Sequence, residues 1–395
     1  MNFETLYSWV GGLPIVDWHN HLDMRMLEED RPLGSLYEVW VKADPYKHRA
    51  MRICGEPERV ITGDASEGEK WAAWTRTLPK LVGNPLFAWA KMEMEWLGID
   101  GRDNISLGEW TPSKMLKKFN VEYLSPCVGA GEPLTGLKDE GRINPVNPVQ
   151  ETLNVVPSLR MNAGDEIPIE TLEKFDAVGC RVVDVSVDDA SRLSTFNPQL
   201  STVAAYAAAH GWTMLLHMGA LRETSARLRA AAGPAGGFAG MRAPVDPAAI
   251  AAFLNALEKS NALPRTILMS LNPDAHASLA VLAGSFNGEG MPGKVQLGPA
   301  WWWCDHEEGI RDVLEKNAAY GVLSTFVGMT TDSRSLLSLV RHAYFRRVLC
   351  KWVAEKVASG AFPGDESLLR PMLENACYRN AHDMIGKNRK GENQT

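Results

Sequence analysis

The chain has 395 residues, 45% hydrophobic and 23% charged, with a formal net charge of −7, a balance that fits a folded globular protein and allows for a closed α/β barrel with insertions. The acidic excess and the lack of a long basic stretch exclude nucleic acid as the main partner, but a small anionic substrate stays open, because local charge can oppose the global one. Six scattered cysteines with no Cys-x-x-Cys pair read as reduced thiols of a cytoplasmic protein, and neither a signal peptide nor an 18-residue apolar run for a membrane span is seen.

The first predicted strand, Leu13–His19, is led by Pro-Ile-Val-Asp-Trp and runs into Asn20 and His21. Residues i and i+2 of a strand share a face, so His19 and His21 stand side by side. Two neutral imidazoles at a strand end can hold a divalent metal such as zinc, with one or two ligands from elsewhere. Taken alone, the pair reads better as ordinary polar residues closing a strand. Residues 28–118 follow as an inserted helical subdomain with its own small core, and eight of the thirteen tryptophans fall before residue 111. Further strands are predicted over Val121–Cys127, Asn154–Arg160, Cys180–Val187, Thr213–Met218, Thr266–Leu271, Val295–Gly298 and Leu323–Met329. Helices are predicted over Pro198–His210, Asp246–Ser260, Gly309–Tyr320 and Leu336–Gly360. In Asp246–Ser260, apolar Ile250, Phe253, Leu254 and Leu257 share one helical face behind an Asp-Pro start. Gly129–Pro148 reads as a loop, Arg229–Gly240 as a mobile Ala/Gly-rich loop, and Lys387–Thr395 as a frayed end. Eight strands alternating with helices predict a single domain over residues 1–395, a distorted (β/α)8 TIM barrel. The rival is a doubly wound open sheet, disfavoured because no Gly-x-Gly-x-x-Gly follows the first strand.

In a barrel the site lies at the C-terminal strand ends. There the sequence places His19 and His21, Arg160, Asp184, His217, Trp301-Trp302-Trp303-Cys304-Asp305 and Thr331-Asp332-Ser333-Arg334. So many ionisable groups at one mouth are costly to desolvate without a use. Asp332 suits a third metal ligand or a base beside the metal, and Arg334 suits a bidentate carboxylate clamp. Each also has a plainer reading: Asp332 as a helix N-cap, Arg334 as a first-turn helix residue, His217 as a hydrogen-bonded core histidine, and the tryptophans as packing.

At this point the chain resembles a family. Thr331–Cys350, Leu215–Arg222, Leu263–Pro273, Trp301–Asp305, Asp44–Arg52 and Ile61–Trp89 look like the matching blocks of uronate isomerases, and the similarity runs from about Pro14 to Met384. The family belongs to the amidohydrolase superfamily. The resemblance implies one divalent metal ion, usually zinc, held by His19, His21 and Asp332. It also implies interconversion of glucuronate with fructuronate or galacturonate with tagaturonate, and a homo-oligomer. It places Arg160, Tyr46, His217 and Arg334 around the substrate, and Trp301 at the same mouth. A second metal is not expected, since strand six ends in Ser270-Leu271-Asn272 and strand four lacks a bridging lysine.

Several positions depart from the family pattern. Its Asp-His-Tyr-Lys reads Asp44-Pro45-Tyr46-Lys47 here, with His48 as a neighbour. Its Arg-Pro-Asp reads Arg160-Met161-Asn162, and its asparagine run reads Glu223-Thr224-Ser225. Its Thr-Asp-Asp-Pro reads Ser125-Pro126-Cys127-Val128, and its histidine after the strand-four aspartate is Val185. The expected reaction is a metal-assisted aldose–ketose proton transfer on a small anionic sugar acid, with Asp332 or Tyr46 moving the proton and Arg334 holding the carboxylate. The alternatives are a metal-dependent hydrolase or lyase of the same superfamily, acting on another hydroxylated or aromatic acid, and a binding protein with a decayed site. The departures predict poor turnover of at least one of the two usual uronates.

Overall fold

The computed structural model describes residues 1–134, 153–189, 193, 198–288 and 290–386. Seven parallel strands form one curled path: β1 (Ile15–Asn20), β2 (Val121–Gly129), β3 (Ser158–Asn162), β4 (Val182–Val187), β5 (Thr213–Met218), β6 (Arg265–Ser270) and β7 (Val295–Leu297). Each pairs with the next in chain order. The register sets Asp184 of β4 between Arg160 of β3 and Leu215 of β5, and His217 beside Ser186. All six residues of β1 and all six of β5 are buried, as expected for strands covered on both faces. Pro198–His210, Pro247–Lys259 and Glu307–Tyr320 are helices, close to the predicted bounds. Asp246 caps the second of these by accepting from Ala248 N at 2.9 Å, with Pro247 in its first turn.

Three elements differ from the expectation. The third predicted strand breaks at Pro157, leaving the short piece Asn154–Val155 beside β2 before β3 begins, because proline cannot donate to the ladder. The Ala/Gly-rich patch is not one loop: Ala226–Ala232 is a helix, and Phe238 and Ala239 are buried. The third difference is the eighth strand. Leu323–Thr325 is a 3-10 turn, and residues 326–333 form no backbone ladder. Gly328 (φ +79°) and Asp332 (φ +49°) adopt left-handed conformations that an extended strand does not contain. The segment still bridges the two ends of the sheet. Val327 N donates to Gln296 Oε1 of β7 at 2.8 Å, while His21 N donates to Ser333 O at 2.8 Å and Asp332 N to His19 O at 3.2 Å. The result is a distorted (β/α)8 barrel whose eighth position is irregular. Leu336–Gly360 likewise begins with a 3-10 turn before the helix Val340–Ala358. Lys387–Thr395 and most of Gly129–Pro148 lie outside the described residues.

Between β1 and β2 the chain is helical, from Met24–Glu29 to Pro112–Lys118. Its apolar side chains, among them Leu36, Trp40, Trp71 and Trp74, pack into one cluster with Ile15, Val121 and Leu337 of the barrel. That core is therefore continuous with the barrel wall. Within it, Asp44 caps the helix Pro45–Ile53 through Tyr46 N at 2.8 Å and Lys47 N at 3.2 Å. The buried Lys47–Asp44 pair sets that cap under the Trp40 ring. This helix start reaches over the strand ends.

The seam between β1 and the eighth segment is made by a side chain. Asp17, fully buried, accepts from Thr331 N and Thr331 Oγ1 at 2.7 Å and from Thr330 Oγ1 at 2.9 Å, and faces His342 Nε2 at 3.2 Å. Burial opposes its charge, but His342 and the Thr331 donors outweigh it and hold the carboxyl below its ordinary range. A lowered folded pKa means stability that is complete above the unfolded value of about 3.9 and is lost as pH falls through the folded one. Asp17→Ala should cost about 3 kcal/mol at neutral pH, as removal of one member of a buried polar cluster does. Asp17→Asn should weaken the acid-side pH dependence of stability. Denaturant midpoints measured from pH 3 to 7 check both, and a variant with wild-type midpoints throughout would rule out Asp17 as the seam.

Candidate active site

The strand ends and the helix start at Pro45 enclose a cavity of about 160 Å³, room for on the order of ten waters and so for a small organic molecule. His19, His21, Tyr46, Arg160, His217, Trp301, Asp332 and Arg334, to which the sequence assigns metal, substrate or proton-transfer roles, all line it. Asp184, Ser186 and Arg222 line it too. His48 does not. It is buried on the same helix, where burial lowers its pKa and keeps the ring neutral.

One carboxylate oxygen faces both imidazoles of the His-x-His pair. Asp332 Oδ1 lies 3.1 Å from His19 Nε2 and 3.0 Å from His21 Nε2. Asp332 gets there through its left-handed backbone, an uncommon conformation for a non-glycine residue and one that recurs at functional sites. Burial disfavours its charge, but the two histidines dominate and hold the carboxyl well below the usual range. On His19 burial acts to lower the pKa, and Cys127, Asp184 and Asp332 together raise it well above the ordinary value. The ring at β1 thus sits where positive charge is favoured. Burial also lowers the pKa of His21, aided by His19 and Arg334 against the pull of Asp332.

A second pair lies beside the first. His217 Nδ1 meets Asp184 Oδ1 at 2.5 Å, and the His217 ring stands 4.7 Å from that of His19 and 4.4 Å from that of Trp301. Asp184 is held below the carboxylate range, because His217 and His19 outweigh its burial. His217 Nε2 is buried and, among the described residues, has no hydrogen-bond partner. Cys127 Sγ lies 3.1 Å from His19 Nδ1 and 3.3 Å from Ser158 Oγ.

These donors suit a divalent cation. Two imidazole nitrogens and a carboxylate oxygen converge within a few ångströms, and His19, Asp184 and His217 form an overlapping group. Nitrogen and oxygen donors with room left for a further ligand are the pattern of a catalytic zinc-type site. Metal-ligating histidines also use their second ring nitrogen on a neighbour, as His19 does with Cys127.

Three guanidinium groups reach the cavity. Arg160 pairs with Glu132 at 2.9 Å, and Arg222 pairs with Asp188 at 3.0 Å while donating to Ser186 Oγ at 3.0 Å. Among the described residues, Arg334 has no hydrogen-bonded or ion-paired partner. Tyr46 packs edge-on against Trp89 and Trp303, with Arg341 near its ring. Burial chiefly, with Asp332, Asp305 and Asp44, pushes its phenol well above 10, so Tyr46 is a proton donor at neutral pH. The sequence places Asp184 at the mouth but gives it no role, and it does not single out Ser186 or Arg222 as lining the site; Cys127 is marked by the sequence only as a departure from the family pattern.

The glucuronate isomerase family model matches residues 2–161 and 173–385. A uronate isomerase of Caldicellulosiruptor bescii is 33% identical, covering 97% of this chain and 96% of its own. One of Shouchella clausii is 34% identical, covering 96% and 94%. The crystal structure of a uronate isomerase from Thermotoga maritima superposes with a TM-score of 0.81 at 25% identity, over 97% of each chain. With that match across nearly its whole length, the chain belongs to the glucuronate isomerase family.

Proposed function

We propose that this protein is a metal-dependent aldose–ketose isomerase acting on a hexuronate, of the glucuronate–fructuronate or galacturonate–tagaturonate type. The observation that carries the reading is one cavity holding His19, His21 and Asp332 in mutual contact together with the unpaired guanidinium of Arg334. His19, His21 and Asp332 would hold a divalent ion, zinc by the donor set, which when bound would supply Lewis-acid chemistry at the substrate carbonyl. The chain supplies the rest. Arg334 takes the distal carboxylate in bidentate geometry. Arg160 and Arg222, already held by Glu132 and Asp188, orient hydroxyls. Asp332 turns Oδ1 to the two histidines, which leaves Oδ2 to take the C2 proton and return it to C1. Tyr46, protonated, donates to the oxygen on which negative charge develops. Asp184 fixes the His217 ring so that Nε2 faces the cavity for a second proton transfer. The overall change is a proton shift without net oxidation, so no hydride carrier is needed.

Purified protein should carry about one divalent ion per chain, and replacing both His19 and His21 with alanine should abolish it. Metal analysis of wild type and double variant checks this, and full occupancy in the variant would place the metal elsewhere. Incubation with glucuronate and with galacturonate, monitored for ketose, tests the reaction. We expect ketose, with at least one of the two acids turned over at a kcat/KM below about 10⁴ M⁻¹s⁻¹. Metal-replete protein that gives ketose from no sugar acid would overturn the reading.

A further inference from the structure

Three polar groups at the strand ends meet at one sulfur. β2 runs between β1 and β3, and its register sets Cys127 beside Ser158. Cys127 Sγ lies 3.1 Å from His19 Nδ1, 3.3 Å from Ser158 Oγ and 3.7 Å from Asp184 Oδ2. The last distance is within the longer reach of a hydrogen bond from sulfur. Cys127 does not itself line the cavity, whereas His19, Asp184 and His217 do.

Counting donors and acceptors gives each of these bonds a direction. Ser158 Oγ donates its own hydrogen to Pro126 O at 3.4 Å, so toward the sulfur it accepts. A carboxylate oxygen also only accepts. The thiol's single hydrogen is therefore taken by Asp184 Oδ2 or Ser158 Oγ, and what remains for His19 is a sulfur lone pair. His19 Nδ1 then carries a hydrogen and donates to Sγ. Its Nε2 is the nitrogen 3.1 Å from Asp332 Oδ1, on the side of the metal ligands. Asp184 accepts again through Oδ1, from His217 Nδ1 at 2.5 Å. One run of contacts thus leads from His19 through Cys127 and Asp184 to His217. On both histidines it occupies Nδ1 and leaves Nε2 for other work.

We propose that Cys127 is a positioning residue: its thiol accepts from His19 Nδ1–H and donates to Asp184 Oδ2, which holds His19 Nε2 toward the metal and ties that ligand to the Asp184–His217 pair. This rests on the metal-dependent reading above and adds a supporting residue to it. A ligating histidine is oriented by the partner of its second nitrogen, and loss of such a partner costs roughly tenfold to a hundredfold in metal affinity.

The test is the zinc dissociation constant of wild type, Cys127→Val and Cys127→Ser, measured by competition with a chelator. Valine fills a similar volume but neither donates nor accepts, so a role in packing alone would survive it. Serine keeps both functions. Cys127→Val should bind zinc roughly tenfold or more weakly, and Cys127→Ser within about threefold of wild type. Nitrogen NMR signals of the histidine rings in zinc-loaded wild type should show His19 with its hydrogen on Nδ1. Wild-type affinity in Cys127→Val, or an equal loss in both variants, overturns the proposal and leaves the metal reading standing. If Cys127→Val does not fold, the wild-type ring signals decide: hydrogen on Nδ1 supports the proposal, and a metal-bound Nδ1 overturns it. Wild type that takes up no zinc overturns the metal reading and this proposal with it.

Discussion

Asp332→Asn is expected to lower kcat/KM by at least about 10³-fold, the combined scale of losing a general base and weakening a metal site. The substitution keeps the side chain's shape and removes its charge. Oδ1 now serves two histidines at 3.1 and 3.0 Å. An amide there must turn either its oxygen or its nitrogen toward both rings, so one of the two roles fails whichever way it lies. Metal content separates them. Loss of the ion points to ligation, and an inactive protein with its ion retained points to proton transfer. A variant within tenfold of wild type, with full metal, would remove Asp332 from the chemistry.

Arg334→Lys is expected to lower kcat/KM by roughly 10²-fold or more, about 3 kcal/mol of transition-state binding. Charge is kept and the planar fork is lost, so the test isolates bidentate geometry. Arg334 is the sharpest choice because Arg160 and Arg222 already have carboxylate partners in the protein. Its own pKa is lowered, first by burial and then by Arg160, against the pull of Asp332. A bound carboxylate would relieve that repulsion. The loss should appear for every acid tested and should be smaller for a neutral analogue. An unchanged kcat/KM would mean that the acid group is held by another residue.

Much of the scaffold was legible because it is written in short periods. The alternation and apolar runs of Val182–Val187 and Thr213–Met218, and the helical spacing of Ile250, Phe253, Leu254 and Leu257, depend on neighbours two to four residues away. Strand ends then mark the mouth of a barrel, so His19, His21, Arg160 and His217 could be placed there from position alone. Two features resisted. Pro157 split one predicted strand, and Gly328 with Asp332 replaced another with an irregular segment. In both places a single backbone preference overrides a pattern of apolar residues.

By itself the sequence determined the barrel class, the His19–His21 pair and the set of residues at one mouth, since each follows from local periodicity or ordered motifs. Only the tertiary structure decided how Asp332 comes to face His19 across 313 positions of chain. That contact depends on Asp17 standing in for a missing ladder, and no local window contains both partners. It also decided that the Ala/Gly-rich stretch packs against the helix Pro45–Ile53, with Gly237 on Pro45. Arg49 and Arg52 of that helix donate to Ala239 O and Gly236 O, and such pairing exists only after the two segments have packed together.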